Sequence, residues 1–167
     1  ERLNLRLQPA ANAEVVGSYY TGAVVELSDE EPVEGYVQVE IVGKTGFMSS
    51  EYLLTPDEMT ARYGTGVPNG RLAEVNLNGL WTTTEHVYSD TSIESDIVMS
   101  LENGMAVYVQ GFVGNWAYVK VENNEEVQRG YIRKIVLAES GSSKAAVVIG
   151  SDAVGNVNLY QSPRSEE

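Results

Sequence analysis

The stretch Tyr36-Val37-Gln38-Val39-Glu40-Ile41 carries apolar side chains at every second position. In an extended chain this places Val37, Val39 and Ile41 on one face and Tyr36, Gln38 and Glu40 on the other. A helix would scatter the same residues around its circumference, so the stretch predicts a half-buried β-strand. Outward from it, Val24-Val25-Glu26-Leu27 reads the same way. So does Ala117-Tyr118-Val119-Lys120-Val121, where Ala117, Val119 and Val121 face inward. Turn residues follow at short intervals: Gly22, Gly35, Gly43, Gly46, Gly104, Gly111, Gly114 and Gly130. Many short strands with frequent glycine turns predict an all-β chain of small barrels or sandwiches, not βαβ units.

The pattern repeats along the chain. Leu5-Arg6-Leu7-Gln8-Pro9 through Gly22 aligns without gaps to Val87-Tyr88-Ser89-Asp90-Thr91 through Gly104, at a constant offset of 82. Tyr36-Val37-Gln38-Val39 then matches Trp116-Ala117-Tyr118-Val119, and Gly46-Phe47-Met48 matches Gly130-Tyr131-Ile132. Loops that change length between fixed strands are what two copies of one small β fold produce. A third, partial copy begins at Val157-Asn158-Leu159-Tyr160-Gln161-Ser162-Pro163, which restates Leu3 to Pro9 at an offset of 154. Ala145-Ala146-Val147-Val148-Ile149 reads as its first strand, as Leu72-Ala73-Glu74-Val75-Asn76-Leu77 does ahead of the second copy. Thr55-Pro56-Asp57-Glu58 is a helix start: a capping hydroxyl, Pro in the first turn, then acids at the positive end of the dipole. That helix is expected to end at Tyr63, before Gly64, Gly66, Pro68 and Gly70. The expected organisation is repeat one over 1–56 without its first strand, and a connector with a short helix over 57–70. Repeat two follows over 71–138, then a linker and partial third repeat over 139–167. The opening Glu1-Arg2-Leu3, with neither an initiator Met nor a signal peptide, reads as part of something longer.

Composition narrows the function. There are 11 Lys+Arg against 24 Asp+Glu, a net charge of −13, and no Cys. The absence of Cys removes disulfides, thiolate zinc sites and cysteine nucleophiles. The acids are spread over all segments and no basic patch is visible in the sequence. Phosphate-tracking nucleic-acid binding is therefore not expected, and polyanionic partners are disfavoured. No apolar run is long enough to span a membrane.

The quoted residues resemble bacterial SH3-like (SH3b) domains. The typical opening appears as Leu3-Asn4-Leu5-Arg6-Leu7-Gln8-Pro9, followed by Val15-Val16-Gly17 and Gly22. Tyr36-Val37-Gln38-Val39, Lys44-Thr45-Gly46-Phe47-Met48 and Glu51-Tyr52-Leu53 complete it. Repeat two departs at the opening, where His86-Val87-Tyr88-Ser89-Asp90 stands, and rejoins at Asn115-Trp116-Ala117-Tyr118-Val119 and Gly130-Tyr131-Ile132. The resemblance implies two small SH3-like barrels in tandem and a non-catalytic role. Such domains accompany secreted or cell-wall enzymes and tether them to peptidoglycan, which implies an extracellular or cell-envelope location.

Catalytic candidates are few. His86 is the one histidine, with no Cys to pair with, and it cannot hold zinc alone. The cluster Asp29-Glu30-Glu31 with Glu34 reads as a solvated hairpin loop without calcium-loop spacing, and Gln110-Gly111-Phe112-Val113-Gly114 as its uncharged counterpart. No catalytic residue, metal or cofactor is expected. The aromatic residues are the binding candidates: Tyr36, Trp116 and Tyr118 on the outward faces of their strands, and Phe47 and Tyr131 one residue before inward-facing Met48 and Ile132. Tyr52 in the closing motif completes the set. Amphipathic rings on an outer face suit sugars, peptides or Pro-rich segments, or else cover a loop or linker. One of Tyr19 and Tyr20 is expected to pack inward. The expected partner is a cell-wall peptide or glycan. The alternative is an architectural module docking on a neighbouring domain, which the divergent opening of repeat two suits. Residues 145–149 are expected to pair with a sheet edge, in another copy of the chain if it self-associates.

Overall fold

The computed structural model describes residues 2–123 and 125–139. The first strands are β1 (Arg2–Arg6), β2 (Val15–Tyr20), β3 (Glu26–Leu27), β4 (Tyr36–Ile41) and β5 (Lys44–Ser49). The helix α1 (Pro56–Tyr63) follows, then β6 (Arg71–Val75), β7 (Thr84–Tyr88), β8 (Ile97–Glu102) and β9 (Ala106–Val113). β10 (Trp116–Asn123), β11 (Glu126–Arg133) and β12 (Leu137–Glu139) complete the set. The architecture is all-β and antiparallel, a curled sheet in the order β3-β4-β5-β1-β2-β9-β10-β11-β7-β8, with β6 also on β9. Glu1–Leu137 form one compact unit. The expected partial third repeat, with its strand at 145–149, lies outside the described residues.

One order of neighbours occurs twice, as β3-β4-β5-β1-β2 and as β9-β10-β11-β7-β8. A short 3-10 turn follows each closing strand, Ser50–Tyr52 after β5 and Lys134–Val136 after β11. Each set bends where its opening and closing strands meet at a single residue pair, Arg6 with Phe47 and Tyr88 with Tyr131. A glycine makes each crossing possible. A methyl group on Gly46 would lie 2.6 Å from the Arg6 carbonyl oxygen, and one on Gly130 2.6 Å from that of Tyr88. The inward residues form two buried clusters. Leu5, Tyr19, Val39, Ile41 and Met48 belong to one, and Val87, Leu101, Val107, Val119, Val121 and Ile132 to the other. Each fully buried Val or Leu side chain contributes about 1.5–3 kcal/mol of transfer free energy.

The helix matches its sequence signals. Thr55 Oγ1 accepts from the Glu58 amide at 3.2 Å while the Glu58 carboxylate accepts from the Thr55 amide at 2.8 Å, a reciprocal capping box. The Thr55 amide, and after it the Thr55 side chain, hold the Glu58 carboxyl below its ordinary value. Gly64, at φ +61°, ends the helix.

The segment 110–114 corrects the sequence reading. It is a strand continuation as far as Val113, not a loop, and Gly111 is not a turn residue. The ladder between β9 and β10 slips between Tyr118 and Val119, leaving Gln110 as the extra residue of a β-bulge. Ahead of the bulge, Ala106–Val109 pair with β6; beyond it, Gly111 and Phe112 pair with Tyr19 and Ser18 of β2. A bulge bends its strand, so one strand serves two partners. The connector is fixed at the same place: Gly70 N–H donates to Thr21 O at 3.0 Å, and Lys120 Nζ donates to Asn69 Oδ1 at 2.8 Å.

Candidate functional site

The six aromatic candidates fall into two groups. Tyr52 is 67% exposed on the turn after β5, and Tyr36, Phe47 and Trp116 are half-buried on their strands. Tyr118 and Tyr131 are 1% and 0% exposed. The alternation was right about direction, since both rings point away from the cluster built on Val119 and Ile132. The expectation that they lie outside is corrected, because β1–β5 cover that face and both rings join the cluster around Leu5 and Ile41. Tyr19 is the inward member of its pair, at 2% exposure.

These three tyrosines form the seam between the two strand sets. Tyr118 lies edge-on to Tyr19 at 6.0 Å and tilted on Tyr131 at 5.3 Å. Tyr131 Oη donates to the Val42 carbonyl at 2.6 Å, with that of Ile41 at 3.3 Å. Burial pushes all three phenols above their ordinary value; Tyr118 adds to the shift of Tyr19, and Tyr19 and Tyr118 both add to that of Tyr131. At the rim Lys44 Nζ meets Asp90 Oδ1 at 3.0 Å and, with the Thr91 amide, holds the Asp90 carboxyl below its usual range. Glu85, 6% exposed, is held by Arg133 through two hydrogen bonds of 2.6 and 2.7 Å.

Besides Tyr36, Phe47 and Tyr52, accessible rings among the described residues stand in three further places. His86, Tyr88 and Trp116 make a ladder of edge-to-face rings, 6.0 Å and 5.8 Å apart. His86 Nδ1 is bonded to Ser100 Oγ at 2.7 Å, which gives the histidine a structural partner on the strand surface. Near the bulge, Tyr20 and Phe112 pack edge to face under the cationic groups of Arg2, Arg71 and Lys134, at 5.0–5.8 Å from a ring centre. Three cations thus gather on an otherwise acidic surface, a clustering that their scattered sequence positions conceal. Finally, Trp81 is fully exposed in the turn between β6 and β7, beside the 40% exposed Leu80. Sequence reasoning missed Trp81 because strand periodicity says nothing about a turn. The apolar pair Leu80-Trp81 set between turn residues Gly79 and Thr82 was the available signal.

A cleft of about 260 Å³ opens at the seam, between Val24, Glu26 and Glu40–Val42 on one side and Tyr118 and Arg129 on the other. The acidic loop Asp29–Glu34 is exposed, and among the described residues no three His, Cys, Asp or Glu side chains gather as metal ligands. No helix among the described residues is long and apolar enough to cross a membrane.

Comparison with known proteins gives two similarities. The chain is 25% identical over 147 residues to a Bacillus subtilis (strain 168) protein named "Putative N-acetylmuramoyl-L-alanine amidase YrvJ". That alignment takes in 86% of this chain but spans 26% of the relative's length. Residues 1–53, which hold β1 to β5 and the turn after them, match the family described as the bacterial SH3 domain.

Proposed function

We propose that the chain is a non-catalytic module of a bacterial cell-envelope or extracellular protein and that it binds cell-wall peptide or glycan. The observation that carries this reading is the match of residues 1–53 to a bacterial SH3 domain, together with a relative named as an N-acetylmuramoyl-L-alanine amidase. The alignment spans 26% of that relative, which supports assigning this chain to a part other than the reactive one. We further propose that residues 71–138 are a second copy of the same module. Its support is the recurring strand order, the matched glycine crossings at Gly46 and Gly130, and the two buried clusters.

In this reading the contacts come from Tyr36, Phe47, Tyr52, Trp116 and the exposed Trp81. Tyr118 and Tyr131 are left out because the seam consumes them. Rings with one open face suit the apolar faces of sugars and the backbone of short peptides, and shallow sites of this kind bind through several weak contacts.

The test is sedimentation with purified peptidoglycan. The intact chain is expected in the pellet; Trp81→Ala is expected to release part of it without changing the unfolding midpoint, and Trp81→Ala with Tyr52→Ala to release most of it. No retention of the intact chain overturns the reading. If the isolated chain instead bound tightly to the remaining domains of its parent, a docking role would replace it.

A further inference from the structure

The seam cleft carries opposite charges that do not touch. Glu26 and Glu40 are direct partners across the β3–β4 ladder, both exposed, so two carboxylates stand side by side on one face. Like charges at opposed positions are unfavourable unless a cation joins them. Across the cleft stands Arg129 of β11, whose Nε is buried and has no hydrogen-bond partner among the described residues. The salt bridges among the described residues are Lys44–Asp90, Lys120–Glu122 and Arg133–Glu85, and none joins Arg129 to either glutamate. Between these charges the floor includes Ile41 and the side chain of Tyr118, itself 1% exposed. A buried donor without a partner is costly, and a cleft lined by one guanidinium and two carboxylates is completed by a group carrying both signs.

We propose that this cleft binds a zwitterionic amino-acid group, its carboxylate on the Arg129 guanidinium and its ammonium between Glu26 and Glu40. The planar fork of Arg129 matches a carboxylate in two hydrogen bonds, and the glutamates supply acceptors for an ammonium. A space of about 260 Å³ admits one such head with a short aliphatic stem, not a polymer segment. The site needs both strand sets, so it exists only because β2 and β9 hold them together. The inference rests on the wall-binding reading for the source of the ligand, a peptide whose diamino-acid side chain ends in a free amino-acid head.

The experiment is a titration of the full chain followed by amide resonances, with ε-N-acetyl-lysine as the probe. Saturable shifts are expected around residues 24–27, 40–42, 118 and 129. Acetate alone and ethylamine alone should produce much weaker effects. The double variant Glu26→Gln/Glu40→Gln and, separately, Arg129→Met should each weaken binding about tenfold or more, with added salt acting in the same direction. The glutamates are exposed, so their double variant remains folded and informative even if Arg129→Met is not. Absence of saturable shifts, equal binding of acetate alone, or unchanged binding in the double variant overturns the site. Retention on peptidoglycan without probe binding would reject this cleft and keep the module reading. Probe binding without retention would do the reverse.

Discussion

At the scale of single residues, glycines with crowded surroundings decide where the chain can cross itself. Gly111 is the clearest case: a methyl group there would lie 2.5 Å from Cδ1 of Tyr19 and 2.7 Å from the Ser18 carbonyl oxygen. One of those atoms is backbone and the other belongs to a packed ring, so neither yields easily. Gly111→Ala is expected to destabilise the chain by about 1–3 kcal/mol through overpacking. Gly104, equivalent to Gly22 in the aligned sequence, has open space around its missing side chain and φ near +89°. Gly104→Ala should therefore cost only the backbone strain, about 1 kcal/mol. Urea unfolding of both variants checks the difference, and equal costs would contradict the steric account. From the sequence the two glycines look alike. Tyr19, the neighbour that distinguishes them, is remote in sequence and reaches Gly111 only through the β2–β9 pairing.

At the scale of elements, the strands around 36–41 and 117–121 and their faces were legible in local pattern, and so was α1 with its capping threonine and terminal glycine. The partner of each outward face was not. Tyr131 on β11 shows why: alternation put its ring outside its own cluster, but only the β4–β5 hairpin supplies the carbonyls that its hydroxyl reaches. Tyr131→Phe is expected to lose about 1 kcal/mol, the net worth of one hydrogen bond. Tyr131→Ala should lose about 3–5 kcal/mol, because the cavity falls between two packed strand sets. The two variants should share one cooperative transition in denaturant, and a separate early transition in Tyr131→Phe would mean that the seam does not couple the sets. The β-bulge at Gln110 was likewise illegible, since one extra residue in a strand leaves no compositional mark.

At the scale of the whole molecule, the net charge of −13 conceals local structure of both signs, from the cations over Tyr20 and Phe112 to the mixed cleft beside Tyr118. The buried tyrosines give a global readout. Folding raises the phenol pKa of Tyr19, Tyr118 and Tyr131, so the native state favours their neutral forms. Their contribution to stability is intact below the ordinary value near pH 10 and is lost as pH rises beyond it. In an ultraviolet titration of the 10 tyrosines, these three are expected to ionise only together with alkaline unfolding. Complete ionisation of all ten with the fold intact would refute their burial. The sequence by itself determined the alternating strands around 36–41 and 117–121 with their inward residues, the helix and the likeness of the first 53 residues to bacterial SH3 domains, because alternation and caps are local properties of the chain. The tertiary structure alone decided that Tyr118 and Tyr131 are covered, that β9 bends to serve both sides, and that Arg129 lines one cleft with Glu26 and Glu40. Each of these depends on which distant segment covers an outward face, and a period of two residues records that a face exists without recording what meets it.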